Sequence, residues 1–270
     1  MLRRNDAGKV WIDTFQDEPT NTDTHYLVKF PRGNRTAIDQ DILRAEYHYY
    51  HALADLGVST IDTEKMMLKE GDRYPSLWLP RFDVDFEDGE VVRYGLESVY
   101  SILEKEPGAP INHFDAIRNL CGIFGQLEGT PFSSQEFVNE WVYRDFLSVV
   151  FGNSDNHGRN TAFIKKPGVI ELSPIYDFAP MRADPEGVIR ITTWGSPFEE
   201  GGNFDWIGIA NGLQDVADPE LIISKLKEMA NMLSGLKENL RARGVPESIL
   251  NMPIMRFDTL DKRLAEWGLI

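Results

Sequence analysis

At 270 residues the chain is long enough to bury a core as one domain or two lobes. With 28 Lys and Arg against 43 Asp and Glu, its formal net charge is −15, which argues against a broad surface tracking a nucleic-acid backbone and leaves room only for a local basic patch. The single cysteine, Cys121, excludes an intramolecular disulfide and fits a reducing cytoplasm; no apolar run approaches a membrane span and no signal peptide is visible.

Residues 1–15 are predicted as strand material, with Val10, Ile12 and Phe15 among polar positions after a turn at Asn5-Asp6-Ala7-Gly8; residues 16–24 read as a polar loop. A compact strand over 25–30 carries one cation, Lys29, which taken alone reads as a side chain pointing to water. Residues 39–56 are predicted as a helix, because Ile42, Ala45, Tyr49, Ala52, Leu53 and Leu56 recur at helical spacing and Gly57 stops it. Glu46 lies at the edge of that buried stripe, where a carboxylate needs a partner, and Lys29 can supply one. His48 and His51 lack acidic or cysteine companions at ligand spacing and read as edge residues. Strands over 63–69 and 77–82 complete a small sheet. The acidic run 83–90 lacks calcium-loop spacing and reads as a solvated connection.

From about residue 96 the chain is expected to turn helical. Amphipathic helices are predicted over 112–128, with Cys121 in its apolar run, and over 133–150, the second opening on the capping box Ser133-x-x-Glu136. Residues 181–205 read as a connection given mobility by Gly195, Gly201 and Gly202, with Trp194 and Trp206 anchoring it or facing a partner. A long helix over 219–241 follows, with Asp218 as N-cap and Pro219 at N1, then a last helix over roughly 256–267.

The chemistry concentrates in residues 151–180. Two carboxylates, Asp155 and Asp177, flank two β-prone runs, 161–164 and 169–172, joined by the turn signals of Lys165-Lys166-Pro167-Gly168. Closing that hairpin would set Asn160, just before it, beside Asp177, just after it. A phosphotransferase needs such a set: one carboxylate to orient or deprotonate the acceptor hydroxyl, and a carboxylate with an amide oxygen to hold Mg²⁺ at the nucleotide phosphates. The spacing D-x4-N, followed about twenty residues later by an Asp-Phe-small triplet, is that of protein-kinase-like catalytic loops.

The stretches G-N-S-D-N-H-G-R-N-T-A-F-I (152–164) and L-S-P-I-Y-D-F (172–178) resemble the catalytic loop and metal-binding motif of HipA-type serine/threonine kinases, the toxins of bacterial toxin–antitoxin pairs. Y-L-V-K-F (26–30) resembles that family's nucleotide-lysine strand, R-A-E-Y-H-Y-Y-H-A-L-A-D-L-G-V (44–58) its following helix, and W-L-P-R-F-D (78–83) its interlobe hinge. The resemblance runs from about Leu2 to the C-terminus. It implies an α+β, bilobal protein-kinase-like fold, with a small β-rich N-lobe over 1–83 and a mainly helical C-lobe over 84–270. Asp155 is then the base or hydroxyl-orienting group. Arg159 stands where the family commonly has Lys and would neutralise the transferring phosphoryl group. Lys29, paired with Glu46, would reach the α/β-phosphates, and the backbone at Pro80, Arg81 and Phe82 would meet the adenine. His157 either braces the loop or touches nucleotide, Tyr176 packs at the nucleotide, and Asn160 and Asp177 would hold Mg²⁺.

One departure stands out: the family's glycine-rich loop should precede the strand at Val10, and nothing before Leu2 supplies it, nor is there the additional N-terminal subdomain of many full-length members. The N-lobe therefore reads as truncated, with a separate subunit as one source of the rest. The resemblance implies ATP- and Mg²⁺-dependent phosphorylation of a protein Ser/Thr hydroxyl, possible targets including aminoacyl-tRNA synthetases. It also implies a DNA-binding antitoxin as partner, which would bring nucleic acid only indirectly. Two alternatives stay open: a catalytically weak lobe serving as an antitoxin-binding module, and a small-molecule or lipid kinase built on the same Asp/Asn/Asp set.

Overall fold

The computed structural model describes residues 1–13 and 21–270; Phe15 and residues 16–20 of the expected loop lie outside the described residues. Strands β1 (Leu2–Arg4) and β2 (Val10–Ile12) form a hairpin through the turn at 5–9, where Gly8 N–H donates to the Asn5 carbonyl at 2.8 Å. Strand β3 (Thr24–Lys29) takes β1 on one edge and β5 (Ser76–Pro80) on the other, with β4 (Met67–Lys69) outermost. All pairings in this five-stranded sheet, β2-β1-β3-β5-β4, are antiparallel.

Helix α1 (Ala37–Asp55) packs on the sheet. Its N-terminus is a full capping box: the Thr36 hydroxyl accepts from Asp39 N–H, and the Asp39 carboxylate accepts from Thr36 N–H at 2.7 Å. Such a cap is worth about 1 kcal/mol. The predicted stripe faces inward, with Ala45, Tyr49 and Leu53 fully buried.

Two connections differ from the sequence reading. The acidic run is a hairpin, β6 (Val84–Glu87) and β7 (Glu90–Arg93), closed by Asp88 and Gly89 at φ +49° and +87°. Asp-Gly is a strong two-residue hairpin signal, because both positions must adopt left-handed conformations. The helical part also starts later than residue 96, since 95–98 form β8 (Gly95–Ser98). Short α2 (Val99–Ile102) follows, then β9 (Ile111–Asn112), α3 (His113–Phe124) and α4 (Ser134–Phe151). Asn112 and Ser133 cap α3 and α4 through their side chains, and Cys121 is buried in α3.

Beyond α4 come β10 (Ala162–Lys166) and β11 (Val169–Leu172), the expected hairpin, with β8 paired to the other edge of β10. In the following segment β12 (Thr192–Thr193) pairs with β9 in parallel, and β13 (Glu199–Glu200) with β14 (Asn203–Phe204). Trp194 and Trp206 are 1% and 0% exposed, so they anchor the segment from inside. Helices α5 (Trp206–Asn211) and α6 (Pro219–Met232) follow. The single long helix expected over 219–241 is two, because Gly235 at φ +69° ends one run before α7 (Leu236–Arg243) begins. Short α8 (Glu247–Leu250), two 3-10 turns and α9 (Leu260–Glu266) finish the chain, so the last helix is shorter than predicted. One contiguous apolar core runs from α1 through α9.

Candidate active site

Helix α4 delivers the loop that carries Asp155. It ends at Gly152, whose φ of +71° suits glycine, and a Cβ there would stand 2.4 Å from Met255 Cε. The loop is then fixed bond by bond. Arg182 N–H donates to the Gly152 carbonyl at 3.0 Å, and Asp155 N–H donates to Asn153 Oδ1 at 3.2 Å. Asn160 Nδ2 donates to the Asp155 carbonyl at 2.9 Å, which leaves Asn160 Oδ1 as that side chain's acceptor. Gly158 is pressed against neighbours, and a Cβ would come within 2.7 Å of the Tyr100 ring and 2.8 Å of Ile111 Cδ1. Gly158→Ala is therefore expected to shift the loop and destabilise the fold by about 1–3 kcal/mol, read by urea denaturation. An unchanged midpoint would show that the ring yields freely.

Opposite the loop stands the lysine of β3. Lys29 Nζ donates to Glu46 Oε1 at 2.7 Å and contacts Asp177 Oδ1 directly. Burial pulls the Lys29 ammonium down, but Glu46 and Asp177 more than offset it and hold it cationic well above the usual lysine range. Burial pushes Asp177 up, yet Lys29 wins and keeps that carboxylate below its ordinary value. Glu46, 3% exposed, is raised by burial, with Lys29 opposing. Asp177 itself sits at φ +55°, a left-handed conformation uncommon outside glycine, which aims its carboxylate back at the lysine.

A clamp unnoticed in the sequence holds this arrangement. Tyr50, one helical turn after Glu46, donates its hydroxyl hydrogen to Glu46 Oε1 at 3.1 Å, and its oxygen accepts from Phe178 N–H at 3.2 Å. One phenol thus locks α1 to the Asp177 segment.

Two clefts adjoin there. One, of about 290 Å³ and mostly apolar, is lined by Leu27, Leu79, Pro80, Arg81, Phe82 and Tyr176, with Lys29 and Asp177 also in its wall. The other, of about 230 Å³, has Lys29, Glu46, Asp155 and Asp177 in its wall. A small cavity behind holds Asp155, His157, Asn160 and Tyr176 together. His157 Nε2 lies 3.4 Å from Asp155 Oδ1. The Phe82 and Tyr176 rings stand 5.7 Å apart, and burial pushes the Tyr176 phenol up.

Ten of the eleven residues singled out in the sequence therefore border these connected spaces. Arg159 does not: it is exposed, lines none of the three, and takes part through its backbone carbonyl, which accepts from the Tyr176 hydroxyl. Arg81 is committed as well, its guanidinium to the Asp83 carboxylate and its N–H to the His25 carbonyl at 2.8 Å. It offers the cleft only its carbonyl. The turn at 5–9 opens at the Thr24 end of β3, because Arg4 pairs with Thr24, and so lies away from Lys29.

Among the buried acids that sequence reasoning missed, Asp145 is the most heavily bonded. Asp145 on α4 is fully buried and accepts from Asn156 Nδ2 at 2.6 Å, from Arg190 twice at 3.0 Å and from Trp194 Nε1 at 2.8 Å. His113 Nε2 faces it at 3.4 Å, while His113 Nδ1 accepts from Trp141 Nε1 at 2.9 Å. Burial alone would raise Asp145, but Arg190 and His113 hold it far below the usual carboxylate range. The acid ties the Asp155 loop at Asn156 to the segment carrying Arg190 and Trp194. A carboxylate on the buried stripe of α4 was the available signal, the same one that picked out Glu46.

A HipA-like C-terminal domain family matches residues 7–239. Toxin YjjJ of Escherichia coli (strain K12) is 31% identical over 183 residues, 66% of this chain and 38% of the relative's length, so the chain spans about two-fifths of that protein. Among solved structures, the chain is similar to the Shewanella oneidensis MR-1 toxin HipA, seen with HipB and operator DNA, at a TM-score of 0.66 and 16% identity over 99% of this chain and 62% of that one. It is also similar to the Helicobacter pylori proinflammatory kinase CtkA, with a TM-score of 0.51 and 13% identity over 91% of this chain and 88% of that one. The fold is thus α+β and kinase-like, with a β-rich part ahead of a helical one, and the chain belongs to the HipA-like C-terminal domain family.

Proposed function

We propose that the chain is an ATP- and Mg²⁺-dependent kinase of protein Ser/Thr hydroxyls, toxin-like and paired with a DNA-binding antitoxin. The observation that carries this is the juxtaposition of Lys29, Glu46, Asp155 and Asp177 around one cleft, with Asn160 behind Asp155. Adenine would enter the apolar cleft between Leu27, Phe82 and Tyr176, meeting backbone carbonyls near Pro80 to Phe82, since Pro80 has no N–H and Arg81 N–H is bound to the His25 carbonyl. Lys29, steadied by Glu46, would meet the α/β-phosphates in place of its contact with Asp177.

The donor types suit Mg²⁺: the Asp177 carboxylate and Asn160 Oδ1, in the walls of adjoining spaces that share Asp155, would supply hard oxygen ligands beside the nucleotide phosphates and water. Among the described residues no group of three or more His, Cys, Asp or Glu side chains forms a metal cage, and a nucleotide-completed Mg²⁺ site needs none. When bound, the ion neutralises phosphate charge. Asp155 takes the acceptor hydroxyl's proton as the oxygen bonds to the γ-phosphorus; the bond to the β-bridging oxygen breaks, and ADP leaves. His157, beside Asp155, orients that carboxylate.

The target, with aminoacyl-tRNA synthetases among the classes the resemblance implies, belongs to this proposal, as does a cytoplasmic location. No helix among the described residues is long and apolar enough to cross a membrane. HipA is seen with HipB and operator DNA, and that pairing is the basis for proposing an antitoxin here. A second reading, a catalytically weak lobe that binds the antitoxin, draws on the turn at 5–9 pointing away from Lys29.

Labelling with γ-phosphate-tagged ATP in a cell extract separates the readings. Label should appear in protein, and Lys29→Met should lower it by roughly 10²–10³-fold through lost phosphate stabilisation. Label in small metabolites would overturn the protein-kinase reading. No label in either fraction would favour the binding module.

A further inference from the structure

Three arginines near the Asp155 loop have no carboxylate at ion-pair distance among the described residues. Arg182 lies in a 3-10 turn, Met181–Ala183, that packs against a second turn, Pro253–Met255. Arg256 follows that second turn at φ +60°, an unusual conformation for a long side chain, and donates from Nη1 to the Gly202 carbonyl at 3.2 Å. Arg263, on α9, is only 4% exposed. Its guanidinium carbon stands 4.6 Å from the centre of the Trp267 ring, and neither terminal nitrogen has a hydrogen-bond partner among the described residues.

The three feel one another. Burial, then Arg256 and Arg182, pull Arg263 down to about 10, and burial, Arg190 and Arg256 lower Arg182 as well. The carboxylates that act on Arg182 and Arg263 are otherwise engaged. Glu199 faces Arg182 but accepts from Arg190 Nε and from Trp194 N–H, both at 2.9 Å, and Glu266 faces Arg263 but lies 3.5 Å from Lys262. Most ion-paired arginines here, such as Arg44, Arg118 and Arg190, hold a carboxylate at hydrogen-bond distance. In a chain of net charge −15, leaving three clustered guanidinium groups without one is costly. A doubly charged tetrahedral anion removes that cost, since planar guanidinium forks match phosphate oxygens in pairs.

We propose that Arg182, Arg256 and Arg263 form a binding site for a phosphate-monoester dianion. Arg182 N–H holds the Gly152 carbonyl where the Asp155 loop begins, so occupancy is transmitted to that loop. The site is separate from the nucleotide cleft and does not depend on the kinase reading.

Thermal melting of the whole chain in the Lys29→Met background, which disables the nucleotide cleft, tests it. Inorganic phosphate at about ten times its Kd should raise the midpoint by about 3–6 °C over chloride at equal ionic strength. Arg256→Gln, at a half-buried position, should abolish the rise, and Arg263→Met should do the same. If O-phospho-L-serine gives a larger rise than inorganic phosphate, the natural occupant is a phosphorylated residue; the reverse order points to the free ion. A rise of equal size in Arg256→Gln would mean an adventitious ion only and would overturn the proposal, as would no rise over chloride.

Discussion

Asp155→Asn is expected to lower the turnover number for phosphoryl transfer by about 10²–10⁴-fold while leaving ATP affinity nearly unchanged. Asp155 and Asp177 share the wall of one cleft, but only Asp177 touches Lys29. Asn keeps the shape of Asp155, and the loop bonds use its backbone N–H and carbonyl, so the fold should not notice the change. What disappears, on the proposed function, is the proton acceptor for the attacking hydroxyl. Steady-state transfer measured beside equilibrium nucleotide binding separates the two effects. A variant that keeps its rate would remove Asp155 from proton transfer and leave it, at most, a positioning part.

The largest loss of stability should come from Asp145→Ala. That change leaves Arg190 buried against Glu199 alone and strips partners from Asn156 and Trp194. Removing one member of a buried ion pair costs about 3–5 kcal/mol, or about 6–20 °C of melting temperature for a chain this size. The acid dependence follows from the same pair. The folded-state pKa of Asp145 is depressed, so its contribution is fully present above the unfolded value, about 3.9, and fades as pH falls through the lower folded value. Asp145→Asn should therefore show a flatter acid limb in stability against pH. A limb as steep as the parent's would mean that other carboxylates drive acid unfolding.

The parts legible in the sequence were those set by local rules. Periodicity and Gly57 gave α1, and the turn chemistry between 161–164 and 169–172 gave the hairpin that separates Asn160 from Asp177. Glu46 was legible because a carboxylate on an apolar stripe needs a partner, and the partner is Lys29. Asp145 met the same test and went unnoticed because Arg190 and Trp194 lie 45 and 49 residues away, a pairing no local pattern announces. Tyr50 shows the other limit. Its spacing reads as core, and the core it joins includes the backbone of Phe178, 128 residues on. The β6–β7 hairpin was within reach, since Asp88-Gly89 is a turn signal that the acidic composition masked. Gly235 was likewise visible inside the apolar stripe of α6 and α7, where periodicity outvoted a helix breaker.

Calorimetric titration of ATP into the chain, with and without Mg²⁺, and into Asp177→Asn, bears most directly on a nucleotide site between Lys29 and Asp177. Binding that requires Mg²⁺ and weakens about tenfold or more in Asp177→Asn, through loss of a charged metal ligand, is the expected result. Equal heats from both proteins, or none from either, would contradict it.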